Sequence, residues 1–342
     1  MAKIEFEHSK GAVNRAGVAF FNGIKEEHEH AKNVLDNWRA YHVAPLNSFQ
    51  TSLRKKLSKV DSDALVSQRL KRMPSILAKL ERNSGMQLAR MQDIGGIRSV
   101  VKDMYSLRKI QSEYKRGTRV FLVVKGGKDY INYPKESGYR SVHMIFRCKN
   151  GFSIELQVRT IIQHAWATAV ETMGTFLNYS LKSSEGPDEW LNFFVLASSA
   201  FAILESTPRV PEHDIYSEYE VFDMLLKKEM ELDVVNKLSG FRVVAKHIES
   251  DEVNGYYHLI TLNLDTRKAR VKSYAKKDAY KANADYSEVE ELVNQGQNLQ
   301  VVLVTSRSIA SLKKAYPSYF LDAQLFAKQI SAVKKRFARM KA

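Results

Sequence analysis

The segment Ser153–Arg159 constrains the fold of this 342-residue chain more than any other segment. Its side chains alternate strictly, with Ile154, Leu156 and Val158 on one face and Glu155, Gln157 and Arg159 on the other. A period of two predicts a β-strand with one face packed on helices and one polar face. Since a solvated outer strand has the same pattern, the strand alone leaves open whether its polar face is functional.

The surrounding segments predict an α/β fold, with a mixed β-sheet flanked by helices. The apolar run Ser141–Cys148 precedes the alternating segment, and Asn150–Gly151 between the two predicts a β-hairpin. Further strands are expected at 96–101, 119–125 (ending in a turn at Gly126–Gly127), 241–247, 256–264, 269–274 and 299–305. Helices are expected at 13–59 with a break at Pro45, 63–80 with an interruption near Pro74, 105–114, 161–173, 188–205, 221–238 and the end of the chain.

The segment 206–212 contains two prolines and is the best candidate for a linker. We therefore expect a first domain at 1–205, a linker at 206–213 and a smaller C-terminal α+β domain at 214–342.

The balance of charge indicates a polyanionic partner. The chain has 53 Lys and Arg against 38 Asp and Glu, a formal net charge of +15. Nucleic acid is the commonest partner of so basic a protein, although a generally basic, solvated surface would show the same balance.

The single cysteine, Cys148, excludes a disulfide framework or a cysteine-based zinc site within one chain. No signal peptide or membrane span is recognisable, so we expect a cytoplasmic protein with no membrane partner.

Three further segments contain chemically useful residues. In Met91–Arg98 an acid, Asp93, precedes a double glycine, which leaves room for a ligand or metal beside the backbone. Asp93 and Glu155 could together bind Mg²⁺, although a turn-capping carboxylate is the alternative role for Asp93.

In 129–143, Lys135 and Arg140 can neutralise phosphate and Tyr139 can stack on a base. The basic segment 69–79 contains Ser75 and Lys79, and by itself could equally be a charged amphipathic helix.

Together these segments resemble the synthetase domain of the RelA/SpoT family, the alarmone synthetases. The matching motifs are Arg69-x-Lys71 with Ser75 and Lys79, QDIGGIR (92–98), DYINYPKESGYRSVH (129–143) and ELQVRT (155–160) followed by QHAWA (163–167). The resemblance implies a nucleotidyltransferase-like sheet. It also implies a Mg²⁺-dependent pyrophosphokinase that moves the β,γ-diphosphate of ATP to a ribose 3′-hydroxyl.

The resemblance also implies a role for each matching residue. Asp93 and Glu155 would be the catalytic magnesium carboxylates, with Glu155 also receiving the proton of the attacking hydroxyl. ATP would be bound by Arg69, Lys71, Ser75, Lys79 and Arg98, with the two arginines on either side of adenine. The acceptor would be bound by Lys135, Tyr139, Arg140, His143, Gln157 and Arg159. The His and His-Asp residues of the family's hydrolase domain are not found ahead of this region, so we expect no hydrolase activity.

Two acceptors are open. Most small family members use GDP or GTP and make (p)ppGpp, whereas a toxic branch modifies the 3′-terminal adenosine of tRNA and so blocks translation. The charge of +15 favours tRNA, because its binding scales with the number of phosphates neutralised. A catalytically inactive nucleic-acid-binding module is a third possibility, which the retained Asp93 and Glu155 argue against.

The C-terminal region resembles the fused toxin–antitoxin CapRel proteins through its Tyr316-Pro-Ser-Tyr319 motif. That resemblance implies a pseudo-zinc-finger domain that inhibits the ATP site through Tyr316 and Tyr319. It also implies release by a phage structural (capsid) protein in antiviral defence. An aromatic pair packed in a small core is the alternative.

Overall fold

The computed structural model describes residues 8–21, 25–83, 85–115, 121–149, 151–177, 179–238, 248–251, 255–266, 268–305, 316–320 and 323–341. A mixed nine-stranded sheet lies among these residues, in the order β3-β4-β5-β2-β1-β9-β7-β8-β6. Its strands are β1 Leu65–Leu70, β2 Gly95–Val101, β3 Phe121–Asp129, β4 Val142–Cys148, β5 Ser153–Thr160, β6 Ile248–Asp251, β7 Tyr257–Asn263, β8 Lys268–Tyr274 and β9 Leu299–Thr305. The pairs β2–β5 and β6–β8 are parallel and the remaining pairs antiparallel.

Helices flank this sheet, which confirms the predicted α/β fold. They are α1 Lys10–Phe21, α2 Lys25–Tyr41, α3 Val43–Leu57, α4 Met73–Arg82, α5 Met104–Lys115, α6 Ile161–Leu177, α7 Asp188–Leu204, α8 Glu218–Leu232, α9 Ala279–Asn294 and α10 Gln324–Lys341. None of the described helices is both long and apolar enough to cross a bilayer.

Strand β5 has the two faces that its sequence predicts. Ile154, Leu156 and Val158 are fully buried, in a core with residues of α3 and α5. Glu155, Gln157 and Arg159 therefore point to the opposite face. The predicted hairpin is also present: β4 pairs with β5, and Gly151 takes a φ of +83°, which glycine adopts without strain. Asn150 and the predicted strand 241–247 lie outside the described residues.

The helix predicted at 63–80 is wrong in its first half. Residues 65–70 form β1, which lies between β2 and β9, and α4 begins only at Met73. Val66 and Leu70 are buried by strand pairing, and a short apolar run cannot be assigned to helix or strand by periodicity alone. Pro74 falls in the first turn of α4, where proline is tolerated. Pro45 likewise lies in the first turn of α3, and the predicted break falls just before it, at His42 between α2 and α3.

The turn predicted at Gly126–Gly127 is also wrong. Strand β3 continues through both glycines to Asp129, with a register irregularity between Val124 and Lys128. A Cβ on Gly127 would lie 2.7 Å from the carbonyl oxygen of His143, so only glycine permits this close approach of the two strands.

Residues on both sides of the predicted linker join one sheet. Strand β9 pairs with β1 through Arg69 and Val304, which connects β7 and β8 to the first five strands. Helix α10 packs on α6, α7 and α8, with Phe326 against Phe193 and Phe201. The division into domains at 206–213 stays a prediction about folding units.

Candidate active site

Two carboxylates are brought together by the parallel pairing of β2 and β5. Gly96 pairs with Glu155, and Asp93 precedes β2 by two residues, so Asp93 lies beside the start of β5. The charge of Asp93 acts on the ionisation of Glu155, which indicates that the two carboxylates share one electrostatic environment. This is the arrangement that the sequence predicts for these two residues.

Asp93 is held between two lysines. Lys79 Nζ donates to its Oδ1 at 2.9 Å and Lys71 Nζ to its Oδ2 at 3.0 Å. Burial opposes ionisation of Asp93, but the two lysines outweigh it and hold the carboxyl pKa below its ordinary value. Lys71 follows β1 and Lys79 lies on α4, so two of the three residues predicted to bind phosphate contact Asp93, and Ser75 lies one turn before Lys79 on the same helix.

Glu155 begins a chain of hydrogen bonds that joins several of the residues predicted to bind the acceptor. His143 Nδ1 lies 2.8 Å from Oε1 of Glu155, and His143 Nε2 lies 2.8 Å from the hydroxyl oxygen of Tyr139. Arg159 donates to the same hydroxyl oxygen at 2.7 Å, and Gln157 Nε2 donates to Oε2 of Glu155 at 2.7 Å. Four of the six predicted acceptor residues therefore form one network with Glu155.

This network shifts the pKa values of its members in opposite directions. Burial alone would lower the pKa of His143 and raise that of Glu155, but their mutual hydrogen bond reverses both effects. The pKa of Tyr139 is lowered to about 7, since Arg159, His143 and Lys182 outweigh the opposing effect of burial. Negative charge is thus stabilised on both Glu155 and Tyr139, and positive charge on His143.

The structure brings Lys135 to the network but does not bring Arg140. Lys135 Nζ lies 5.6 Å from the ring centroid of Tyr139. Arg140 is buried at the other side of the backbone, where it donates to Ser198 Oγ at 2.8 Å and to the carbonyl oxygen of Pro208 at 2.6 Å. Its guanidinium joins α7 to the segment after it, which differs from the phosphate-binding role that the motif predicts.

A second group of cations includes Arg69 and Arg98, which are predicted to bind ATP. Arg98 and Arg69 are on adjacent strands, and both act electrostatically on Glu171 of α6, as does Lys182, whose Nζ lies 2.7 Å from Glu171 Oε1. Burial and the neighbouring Arg159 lower the pKa of Arg98 to about 10. Such a concentration of positive charge favours an anionic ligand.

Sequence reasoning missed two members of this group, Glu171 and Lys182. Glu171 is the only acidic residue of α6, a helix that is otherwise largely apolar. An isolated carboxylate in such a helix is the signal that could have identified it, because a buried acid needs a cationic partner.

The C-terminal motif contacts the same group. Tyr316, 6% exposed, donates from its hydroxyl to the carbonyl oxygen of Gln68 at 3.1 Å, and Ser318 Oγ donates to Glu171 Oε2 at 3.1 Å. Tyr316 is also close enough to Arg98 to affect its pKa. The side chain of Tyr319 lies outside the described part of the structure.

The residues present fit Mg²⁺. This ion is usually bound by one or two carboxylates and completes its coordination with phosphate and water, which matches the pair Asp93 and Glu155. No group of three or more metal-binding side chains occurs among the described residues, so an all-protein cage is not available in that part of the chain. Lysine, histidine and glutamine side chains bind the oxygens of both carboxylates here, and those donors must yield for the ion to bind.

Known proteins match part of the chain. A curated relative, an uncharacterised protein of Mycobacterium bovis, is 30% identical over 189 residues, which cover 53% of this chain and 64% of the relative. The GTP pyrophosphokinase YjbM of Bacillus subtilis is 35% identical over 112 residues, 30% of this chain and 52% of that protein. The chain therefore spans less than two thirds of the length of these relatives.

A solved structure, that of small alarmone synthetase 1 from Bacillus subtilis bound to its product pppGpp, covers 49% of this chain and 93% of its own. It shares 28% sequence identity at a TM-score of 0.40. A family model described as the region found in RelA / SpoT proteins matches residues 68–179, from β1 to just beyond α6. The matched residues include Asp93, Glu155 and groups around them.

Proposed function

We propose that this chain is an ATP-dependent pyrophosphokinase that transfers the β,γ-diphosphate of ATP to a ribose 3′-hydroxyl. The observation that carries the proposal is the pair of carboxylates, Asp93 just before β2 and Glu155 on the neighbouring parallel strand β5, with two lysines on Asp93 and a histidine on Glu155. The RelA/SpoT region at 68–179 contains this pair.

Each part of the site has a task in this reaction. The 3′-oxygen of the acceptor attacks the β-phosphorus of ATP, the bond from that phosphorus to the α-phosphate oxygen breaks, and AMP leaves. The proton of the hydroxyl passes to Glu155, whose low pKa keeps it ionised at neutral pH. Lys71 and Lys79 turn from Asp93 to the phosphates, and Arg69 and Arg98 bind the adenine. Mg²⁺, when bound by Asp93 and Glu155, would spread the charge of the phosphate oxygens.

For the acceptor we propose the 3′-terminal adenosine of tRNA, which would make the protein an inhibitor of translation. The net charge of +15 supports a polyanionic acceptor. GDP or GTP, giving (p)ppGpp, is the second candidate, and the similarity to a GTP pyrophosphokinase favours it.

One experiment tests the chemistry and separates the acceptors. ATP labelled in its γ-phosphate is offered with GDP, GTP or deacylated tRNA, and both AMP and the labelled product are followed. Label in tRNA at physiological salt supports the tRNA proposal, and label in the guanosine nucleotides alone supports the second candidate. Absence of AMP with every acceptor would contradict the pyrophosphokinase itself.

We further propose that the C-terminal region inhibits the site, as part of an anti-phage toxin that a phage structural protein releases. Two contacts support this regulation: Tyr316 with Gln68, and Ser318 with Glu171, both beside the arginines assigned to adenine. A trigger would have to bind the released form better than the docked form, since equal affinity for both shifts nothing.

A further inference from the structure

Four tyrosines near the acceptor side are not explained by the chemistry of diphosphate transfer alone. We call Tyr105, Tyr130, Tyr133 and Tyr139 the tyrosine strip. Tyr105 and Tyr133 are 72% and 79% exposed, so neither ring adds much buried apolar surface to the fold. Exposed tyrosines scattered singly need no explanation, so the question is whether these four are connected.

The inner end of the strip adjoins the catalytic network. The ring centroid of Tyr130 lies 5.8 Å from that of Tyr139 and 5.2 Å from that of His143, which contacts Glu155. Lys135 Nζ lies 4.8 Å from the Tyr130 ring and 5.6 Å from the Tyr139 ring. A cation therefore lies between the two inner tyrosines.

The outer end of the strip is fixed by one arginine. Arg108 of α5 forms an ion pair with Asp129 and donates to Asn132 Oδ1 at 2.7 Å, which ties the start of α5 to the turn after β3. Tyr133 follows Asn132 in the chain and Tyr105 lies about one helical turn before Arg108, so this contact holds the two segments that carry the exposed tyrosines next to each other. Lys109 Nζ lies 5.8 Å from the Tyr105 ring centroid.

The charges along the strip are mainly positive. Lys102, Lys109, Lys128 and Lys135 are exposed, whereas Asp129 is neutralised by Arg108. Asp103 accepts a hydrogen bond from the backbone of Ser106 at the start of α5, and Glu113 at the end of α5 pairs with Lys56. Glu136, beside Lys135, is a further exposed carboxylate. Aromatic rings alternating with cations are the pattern that binds single-stranded nucleic acid, because rings stack on bases and cations track the phosphates.

We infer that the tyrosine strip binds the single-stranded 3′ end of an RNA acceptor, leading its terminal ribose to Glu155. Tyr139 would take the terminal base, and Tyr130, Tyr133 and Tyr105 would take the nucleotides before it. The inference rests on the proposed pyrophosphokinase function, which places the 3′ end of the acceptor at Glu155. A mononucleotide acceptor would not reach Tyr105 or Tyr133, so the strip distinguishes RNA from GDP or GTP.

The test compares binding and transfer in the full chain. The double variant Tyr105→Ala with Tyr133→Ala is titrated with a fluorescent single-stranded RNA hexamer ending in adenosine, at low salt and again at moderate salt. Tyr280→Ala is the matched control, since Tyr280 is 84% exposed on α9. We expect the double variant to bind the hexamer at least about fivefold more weakly, the lower end of the loss for one stacked base. The control should bind it as the wild type does.

A second readout separates this inference from the proposed function. AMP release is measured with the hexamer and with GDP, and the ratio of the two activities should fall at least about fivefold in the double variant. An unchanged hexamer affinity, or an equal loss in the Tyr280 control, overturns the inference whether or not AMP is released. Absence of AMP from the wild type with every acceptor overturns the proposed chemistry, while the binding comparison still decides the inference.

Discussion

Asp93 is ionised because two lysines bind it, and the same two lysines are the proposed phosphate ligands. Each lysine therefore binds Asp93 in the described structure and would bind the phosphates of ATP in the proposed reaction. Glu155 is placed similarly, with His143 and Gln157 on its two oxygens. In the proposed reaction these donors leave the carboxylates when Mg²⁺ and ATP bind, so substrate binding rearranges the hydrogen bonds of the site while its charged groups stay close to the reacting atoms.

Replacing either carboxylate by its amide should abolish transfer without unfolding the protein. We expect Asp93→Asn and Glu155→Gln each to reduce AMP release at least about a hundredfold, the scale for losing one preorganised electrostatic contact. Circular dichroism and thermal unfolding check that the fold is retained. Near-wild-type AMP release by either variant would contradict the assignment of these residues.

The low pKa of Tyr139 makes a spectroscopic prediction. Its pKa is lowered from 10 to about 7, so its ionised form should appear near pH 7 in the ultraviolet spectrum of the wild type and be missing from Tyr139→Phe. Because the folded pKa lies below the unfolded one, the wild type should gain stability over the variant as pH rises from about 7 towards 10 and lose that gain as pH falls through 7. Urea unfolding at pH 6 and pH 9 measures the difference, and an equal difference at both would refute the shift.

At the level of elements, one carboxylate connects three helices. Glu290 of α9 accepts from the backbone N–H of Met73, at the start of α4, at 3.1 Å, and its other oxygen lies 2.9 Å from Arg39 of α2. Arg39 and Glu290 are 3% and 4% exposed. Since α4 carries Lys79, this contact links the C-terminal region to the helix that we propose binds phosphate.

Glu290→Gln should destabilise the fold by about 3 kcal/mol, the lower end for breaking a buried ion pair, because Asp36 at 3.1 Å remains as a second partner of Arg39. The matched control is the same substitution at the next residue, Glu291→Gln, whose pair with Lys32 is about one third exposed. That change should cost less than about 1 kcal/mol. Urea unfolding measures the free energy of unfolding of both variants. Equal losses would show that the buried pair of Arg39 and Glu290 contributes no more to stability than the more exposed pair of Lys32 and Glu291.

The elements that could be predicted from sequence are those defined by local patterns. Strand β5 and its hairpin follow from alternation and an Asn-Gly turn, and Asp93 and Glu155 follow from motifs within short segments. Strand β1 could not be predicted in this way, because its partners β2 and β9 are brought to it only by the folded sheet. The direction of Arg140 is likewise decided by Ser198 and Pro208, which lie far along the chain.

At the scale of the whole molecule, the C-terminal strands share the sheet of the RelA/SpoT region, and the Tyr316 motif follows the last of these strands. Tyr316 packs with Val302 and Val304 of β9 and reaches the backbone of β1. The contacts of Tyr316 and Ser318 therefore connect the C-terminal region directly to the strands and helix that carry Arg69, Arg98 and Glu171. An inhibitory segment built in this way would respond to any partner that moves β9 or the residues after it.

If this segment inhibits, the balance between its docked and released forms sets the basal activity. Ser318→Ala removes one hydrogen bond to a carboxylate without opening a cavity, and Tyr316→Phe removes the bond to Gln68 while keeping the ring. The bond to the Gln68 carbonyl contributes about 0.5–1.5 kcal/mol and the bond to the Glu171 carboxylate about 1.5–3 kcal/mol. Losing both should raise the ratio of released to docked form, and hence basal AMP release while the docked form predominates, at least about thirtyfold. Adding Asp93→Asn should return activity to background, which shows that the gain comes from the same site.

Hydrogen exchange of the described residues of the motif should increase in parallel, because release exposes their backbone. Unchanged basal transfer at wild-type expression and thermal stability would mean that the motif only packs against the sheet and does not inhibit.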